Sequence, residues 1–334
     1  GKRNSPLNPD WAAAYIMPPW YVYLHDGDLD VLRRHWEGLQ TLAEHFAGAS
    51  RDWILHAGFG DWFDPGGDAI VSSTPPALTS TLWFLRCMQV METAAGRLGM
   101  TQDAAVYGEW KSNVRNALVE CFYDADQGTF GSQTGNAMAL AFAVLDPDAE
   151  GRLVDAIVRD VRERDNHLNV GIMGLRFLFE ELTRRGQGEL ALAMLLQDSY
   201  PSFGDLIRQG ATTLWEWWGE PEHDERCGPR SCNHPMMGGY DNWFFNTLAG
   251  LRLDPDRPGF EHVFLEPHVI EGIDWVAAHH DSVRGRWESR WKRVDRGRVE
   301  WMALVPEGSC ATARLPVSGD VRHLGPGEHA IMDG

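Results

Sequence analysis

Three loops carry the residues most capable of chemistry. The first, "ILHAGFGDWFDPGGD" at 54–68, sets Asp61, Trp62, Asp64 and Asp68 among four glycines, Gly58, Gly60, Gly66 and Gly67. No regular helix or strand tolerates that glycine density, so tight turns are expected to hold Asp61 and Trp62 in the open. By itself the loop reads equally well as a carboxylate cluster for acid chemistry or as an Asx-turn beside a core Trp. The second, "GATTLWEWWGE" at 210–220, places Glu216 between Trp215 and Trp217. An aromatic surround that partly desolvates a carboxylate raises its pKa toward the range useful for general acid or base work. A surface Glu at a helix end is the plainer alternative. The third, "SCNHPMMGGYDNWFFN", sets Asn233 and His234 just before a Gly pair. A lone His is more often structural than catalytic, so its case rests on its company.

Other chemistries find less support. There is no HExxH and no CxxC pair, and the Asp61/Asp64/Asp68 spacing misses the EF-hand ligand pattern, so no metal or other cofactor is expected. No GxSxG elbow marks a Ser nucleophile. With 48 acidic against 30 basic residues and a formal charge of -18, charge repulsion argues against nucleic acid and anionic membranes as partners. No apolar run is long enough to span a bilayer. The start, GKRNSPLNPDW, reads as a processed or excised piece. The five cysteines are an odd count, which excludes a full disulfide framework; Cys227 and Cys232 flank a loop and are the one pair placed to join. Acidic and aromatic loops remain, and fifteen Trp exceed what core filling alone would ask. Trp faces stack on pyranose rings while carboxylates bind hydroxyls and move protons.

These loops need a rigid frame. Apolar residues at three- and four-residue steps predict helices over Asp30–Phe46, Pro76–Leu98, Gln102–Phe122, Asn136–Leu145, Ala149–Glu163, Val170–Arg184, Glu189–Gln197 and Tyr240–Leu251, with a short one over Pro18–Leu24. From about residue 254 the texture changes to alternating runs: His262–Leu265, Trp275–His280, Val283–Arg293, Val299–Val305 and Cys310–Leu315. The expectation is a mainly α domain over 1–253 and a small antiparallel β-sandwich over 254–334.

The order of the motifs resembles the C-terminal part of the glycoside hydrolase family 78 α-L-rhamnosidases. The matching pieces are "PDWAAAYIMPPWYVYLHDGD", "GFGDWFDPGGD", "HLNVGIMGLRFLFEEL", "YPSFGDLIRQGATTLWEWW", "SCNHPMMGGYDNWFFNTLAGL" and "DPDRPGFEHVFLEPHVIEGIDWVAAHHDSVRGRWESRWK", in family order over nearly the whole chain. The resemblance implies an (α/α)6 toroid lacking its first helices, followed by the sandwich. It implies inverting hydrolysis of terminal α-L-rhamnosyl residues, with Glu216 as the general base. His234 lines the sugar subsite, Trp62 and Trp11 are its aromatic walls, and Asp61 binds hydroxyls or holds Trp62. Trp83 matches an aromatic position in the following helix, and Asp64 and Asp68 fall back to loop solvation.

Two departures stand out. The family's general acid lies in a "D-x-P-x-R-x-E-R-x-G-W-x-G-D" type segment upstream of "PDW", and no such segment occurs here; the expected partner is a missing N-terminal portion of the same protein. "WAAA" replaces the usual "WGDA", so Ala13 stands for a common Asp. The alternatives are a carbohydrate-binding relative that has lost the acid, or another toroid enzyme, a lyase or uronyl hydrolase, drawing its acid from Asp61 or Asp64. Compartment and aglycone are left open.

Overall fold

The computed structural model describes residues 8–65, 72–219, 231–295 and 297–334. Helices form the first part: α1 Pro9–Ala12, α2 Met17–Asp26, α3 Leu29–Ala49, α4 Pro76–Arg97, α5 Thr101–Phe122, α6 Gln133–Ala141, α7 Pro147–Glu163, α8 Ile172–Arg184, α9 Gly188–Leu195 and α10 Phe203–Arg208. The long ones are those predicted, within a few residues at each end. α4 begins on Pro76, where a missing N–H costs nothing. α6 begins on Ser132, whose side chain accepts from the Gly135 N–H. Successive helices pack as hairpins: α4 with α5, α6 with α7, and α8 with α9.

The expected helix over Tyr240–Leu251 is not an α-helix. Pro235–Asp241 winds as a 3₁₀-helix and Trp243–Leu248 as a π-helix, and the chain is already extended at Leu251. Apolar periodicity there marks the buried side, Trp243, Thr247 and Leu248, but does not fix the hydrogen-bond pitch.

The chain divides into two compact units, one of residues 1–17 and 36–240, the other of 18–35 and 241–334. The second contains eight strands: β1 Leu251–Leu253, β2 His262–Leu265, β3 Trp275–Ser282, β4 Gly285–Asp295, β5 Arg298–Val305, β6 Cys310–Arg314, β7 Val321–Leu324 and β8 Gly327–Asp333. They form two four-stranded sheets, β1-β2-β6-β7 and β3-β4-β5-β8. Every pairing is antiparallel except β2 with β6. Val263, Leu265, Ala311 and Ala313 from one sheet and Trp287, Trp291 and Trp301 from the other share one core. Two of these indoles meet the demand for a partner when buried: Trp291 donates to the Leu248 carbonyl at 2.7 Å and Trp301 to Ser289 Oγ at 3.0 Å.

Candidate active site

The candidate residues of the first unit converge on the chain entering α8, residues 168–174. A helix starts with backbone N–H groups that have no partner within it. Here they are met from more than a hundred residues away. The Asp61 carboxylate accepts from Gly171 N at 2.6 Å, Met173 N at 2.7 Å and Gly174 N at 3.3 Å, and the Trp62 carbonyl accepts from Ile172 N at 3.1 Å. The Thr134 hydroxyl also donates to Asp61. A negative charge at a helix N-terminus is further favoured by the helix dipole. Gly171 is needed for this approach, because a Cβ there would lie 2.1 Å from the Trp62 carbonyl oxygen.

Asp61 is 0 % exposed, not held in the open as the glycine-rich loop suggests. Held out of solvent with both oxygens occupied, its carboxylate fits the holding of Trp62 better than a contact with sugar hydroxyls. Burial pushes its carboxyl up to about 6 against the downward pull of the Thr134, Gly171 and Met173 hydrogen bonds, with nearby Asp64 adding a further rise.

Asp64 is also corrected. It is buried rather than solvated, and its Oδ2 accepts from Ser72 Oγ at 2.9 Å, Ser73 N at 2.8 Å and Ser73 Oγ at 2.6 Å. The Asp61 N–H also donates to Ser72 Oγ at 2.9 Å, so both residues fasten 61–64 to 72–73. Gly60 lets the two stretches close, since a Cβ there would stand 2.6 Å from Ser72 Cβ and 2.8 Å from the Thr74 carbonyl. Asp68 lies outside the described residues, as does Cys227 of the suggested Cys227–Cys232 pair.

Trp62, so anchored, is half-buried and packs edge-on against Trp11, with centroids 6.0 Å apart, and against Phe59 at 4.7 Å. Phe59 in turn lies 6.0 Å from Trp11. Trp11 remains 47 % exposed, so the three rings form an aromatic wall with an open side. Phe59 is not among the residues the sequence singles out; its position between Gly58 and Gly60 is the available signal. Asp10, beside Trp11, is buried, and among the described residues neither of its carboxylate oxygens has a hydrogen-bond partner. Burial pushes it up to about 6, opposed by its own backbone N–H. Trp83 reaches the same place from α4: its indole N–H points at Met173 Sδ at 3.4 Å, and its ring packs on Phe142 and Phe177.

The Glu216 loop docks on the same segment. Trp218 donates its indole N–H to the Val170 carbonyl at 2.8 Å, one residue before the Gly171 that Asp61 holds. Residues 214–216 then run beside 231–234: Glu216 N donates to the Ser231 carbonyl at 3.0 Å and His234 N to the Leu214 carbonyl at 2.8 Å. The Glu216 carboxylate accepts from Ser231 N at 3.2 Å, and Thr213 bonds the Cys232 carbonyl. Glu216 and His234, eighteen positions apart, thus sit on two facing strands of backbone. Glu216 is half-buried between buried Trp215 and half-buried Trp217, whose rings are 6.2 Å apart. His234 Nδ1 accepts from the Met236 N–H at 3.3 Å, so in the neutral ring Nε2 carries the proton and is a donor. Among the described residues no three His, Cys, Asp or Glu groups stand together as a metal centre.

The arrangement offers a part-exposed carboxylate, an imidazole N–H donor and an aromatic wall on one rigid base. Comparison with known proteins gives the family. Residues 3–248 match the family model of the bacterial alpha-L-rhamnosidase 6 hairpin glycosidase domain, and residues 250–330 that of the bacterial alpha-L-rhamnosidase C-terminal domain. An alpha-L-rhamnosidase of Formosa agariphila is 25% identical over 324 residues, covering 94% of this chain and 34% of that protein. One from Streptomyces avermitilis is 28% identical over 312 residues, covering 92% and 29%. The chain therefore spans about a third of the length of the curated relatives it matches. Among solved structures, the alpha-L-rhamnosidase from Dictyoglumus thermophilum superposes with a TM-score of 0.90 at 28% identity, over 99% of this chain and 40% of that one. The Aspergillus terreus enzyme, at 21% identity and TM-score 0.88 over 100% of this chain and 40% of that one, shares the fold.

Proposed function

This chain belongs to the bacterial α-L-rhamnosidase six-hairpin glycosidase family, and on that basis we propose that it forms the C-terminal part of an inverting α-L-rhamnosidase in which Glu216 is the general base. The observation that carries the proposal is the shared anchor. Trp218 ties the Glu216 loop to Val170, and Asp61 with Trp62 ties the aromatic wall to the next four residues. A base and a sugar-stacking surface fixed to one helix start keep the sub-ångström geometry that positioning catalysis requires.

In this mechanism Glu216 takes a proton from a water molecule, whose oxygen attacks the anomeric carbon from the face opposite the glycosidic bond. That bond breaks with its electrons going to the leaving oxygen, which takes a proton from a second carboxyl group about 6.5–9.5 Å from the first. His234 Nε2–H donates to a sugar hydroxyl, and the Trp11–Phe59–Trp62 wall covers a C–H face of the ring. We assign the acid to a portion of the protein outside these 334 residues; the threefold greater length of the relatives supports this.

The test uses the full-length protein and an aryl α-L-rhamnoside, with the product followed by NMR. β-L-Rhamnose is expected as the first product, and Glu216→Gln is expected to lower kcat by about a thousandfold or more. First release of the α-anomer, or near-normal turnover of the variant, refutes the assignment. Tight rhamnose binding without turnover by the wild type would instead identify a carbohydrate-binding relative.

A further inference from the structure

The register of the β3-β4-β5-β8 sheet fixes which side chains lie on its outer face. Trp287, Trp291, Trp301 and Ile331 belong to the sandwich core, so the residues alternating with them point outward. One outward row runs Trp275, Lys292, Glu300, Met332 across the four strands. The next rows place Arg290 opposite Met302, then Glu288 opposite Leu304 and Leu304 opposite Glu328. A cavity of about 160 Å³ opens on this face, lined by Glu288, Arg290, Met302, Leu304 and Glu328.

Trp275 is 67% exposed, although the start of its strand is pinned: Arg293 N donates to the Asp274 carbonyl at 2.9 Å and Arg293 Nε to the Ile273 carbonyl at 3.1 Å. A large ring on a fixed backbone loses little conformational entropy when something packs on it. Arg290 stands opposite Ala277, two residues on from Trp275, and such a diagonal is within reach of an aromatic and a long side chain. The ring and the cavity are therefore neighbours on one face, which extends over three strand spacings, about 14 Å.

The charges on the face are already matched. Glu288 takes Arg286 Nε at 2.7 Å on one oxygen and Arg290 at 2.9 Å on the other, and Lys292 holds Glu300 at 2.6 Å. No cation of this set is left over for an anionic ligand. What paired guanidinium and carboxylate groups do offer is donors and acceptors side by side, the match for neutral hydroxyls, each of which both donates and accepts. Between them Met302 and Leu304 supply an apolar floor.

We propose that this face is a second carbohydrate site, holding the inner part of a neutral glycan chain of 6-deoxyhexose units. One pyranose ring stacks on Trp275, and a neighbouring unit enters the cavity, its hydroxyls bonded to Arg290, Glu288 and Glu328 and its C5 methyl group on Met302 and Leu304. The choice of rhamnose as the 6-deoxyhexose rests on the function proposed above. The site itself does not, because it lies in the second compact unit, whereas Glu216, His234 and the Trp11–Phe59–Trp62 wall lie in the first.

The full-length protein and its Trp275→Ala, Trp275→Tyr and Arg290→Ala variants are run on native gels containing a soluble neutral α-L-rhamnan polysaccharide, and are assayed on an aryl α-L-rhamnoside. A polymer offers few chain ends to a site that takes terminal sugars, so retardation reports binding along the chain. The wild type is expected to be retarded, with Trp275→Ala weakening that binding about tenfold and Arg290→Ala about fivefold. Trp275→Tyr keeps a ring and should stay within about threefold of wild type. Turnover of the aryl rhamnoside should stay within about twofold in all three variants. Retardation of Trp275→Ala equal to that of wild type overturns the inference. So does a Trp275→Ala variant that loses rhamnosidase activity and melting temperature together, since that assigns the ring to packing within the full-length protein. A cleaving wild type that the polysaccharide does not retard defeats this inference alone. A wild type that cleaves no rhamnoside but is retarded through Trp275 upholds it and defeats the Glu216 reading.

Discussion

Replacing Asp61 with Ala separates its holding role from a sugar-binding one. The substitution removes the acceptor of three backbone N–H groups, at 2.6, 2.7 and 3.3 Å, and of the Thr134 hydroxyl, in a place with no access to bulk water. Each buried donor left unmet costs about 1–3 kcal/mol, and because Thr134 can rotate and the cavity can admit water, the total is on the order of 4 kcal/mol at low pH. The pH dependence has a defined sign. Burial raises the Asp61 pKa from 3.8 to about 6, so the folded state keeps a proton that the unfolded chain has released between those values. Wild-type stability from this group is therefore full below about pH 4 and falls by about 3 kcal/mol as pH rises to 6. Asp61→Ala lacks that slope, so its deficit shrinks as pH rises. The local readout is hydrogen exchange of the 171–174 amides, expected to accelerate about a thousandfold at pH 4 and far less at pH 7. Unchanged protection of those amides, with rhamnose affinity lost, would show that Asp61 reaches the sugar and would refute the argument.

Asp10→Asn is expected to stabilise the protein at pH 7 by about 1–3 kcal/mol and to leave it unchanged near pH 4, because burial without a partner raises that carboxyl to about 6; urea titrations at the two pH values check it, and destabilisation at pH 7 would count against it. Trp218→Phe keeps the packing on Phe203 at 5.0 Å but removes the N–H donated to Val170. It is expected to cost ~1 kcal/mol in stability while lowering kcat/KM by tenfold or more, since the Glu216 loop loses its tie; equal loss in stability and activity would argue for a packing role alone.

The long helices were legible because each buries one apolar stripe, as the run from Leu32 to Phe46 shows within α3. α1 and α10, four and six residues long, are too short to display a period. β7 and β8 went unread for a different reason: Val321, Arg322 and His323 are exposed, and β8 alternates in burial from Ala330 to Asp333 but exposes apolar Met332 and buries polar Asp333, so neither carries the hydropathy alternation that betrays a half-buried strand. The loop sequence left the roles of Asp61 and Asp64 open because burial decides what a carboxylate does. Both sit in a glycine-rich loop that looks solvent-facing, yet Asp61 meets Gly171 and Met173 from a distant part of the chain, and Asp64 turns to Ser72 and Ser73 across its own loop.

The amino-acid sequence by itself determined the helical scaffold, the change to strands near residue 250, the family, and the identity of the loops that bear Trp62, Glu216 and His234. Those are properties of local pattern and of motif order. Only the tertiary structure decided that the start of α8 is where these loops meet, that the Asp61 carboxyl is turned to backbone amides, and that Phe59 stands beside Trp11 and Trp62. A helix end has unmet N–H groups wherever it occurs, and which distant carboxylate or carbonyl meets them is fixed by how the chain packs.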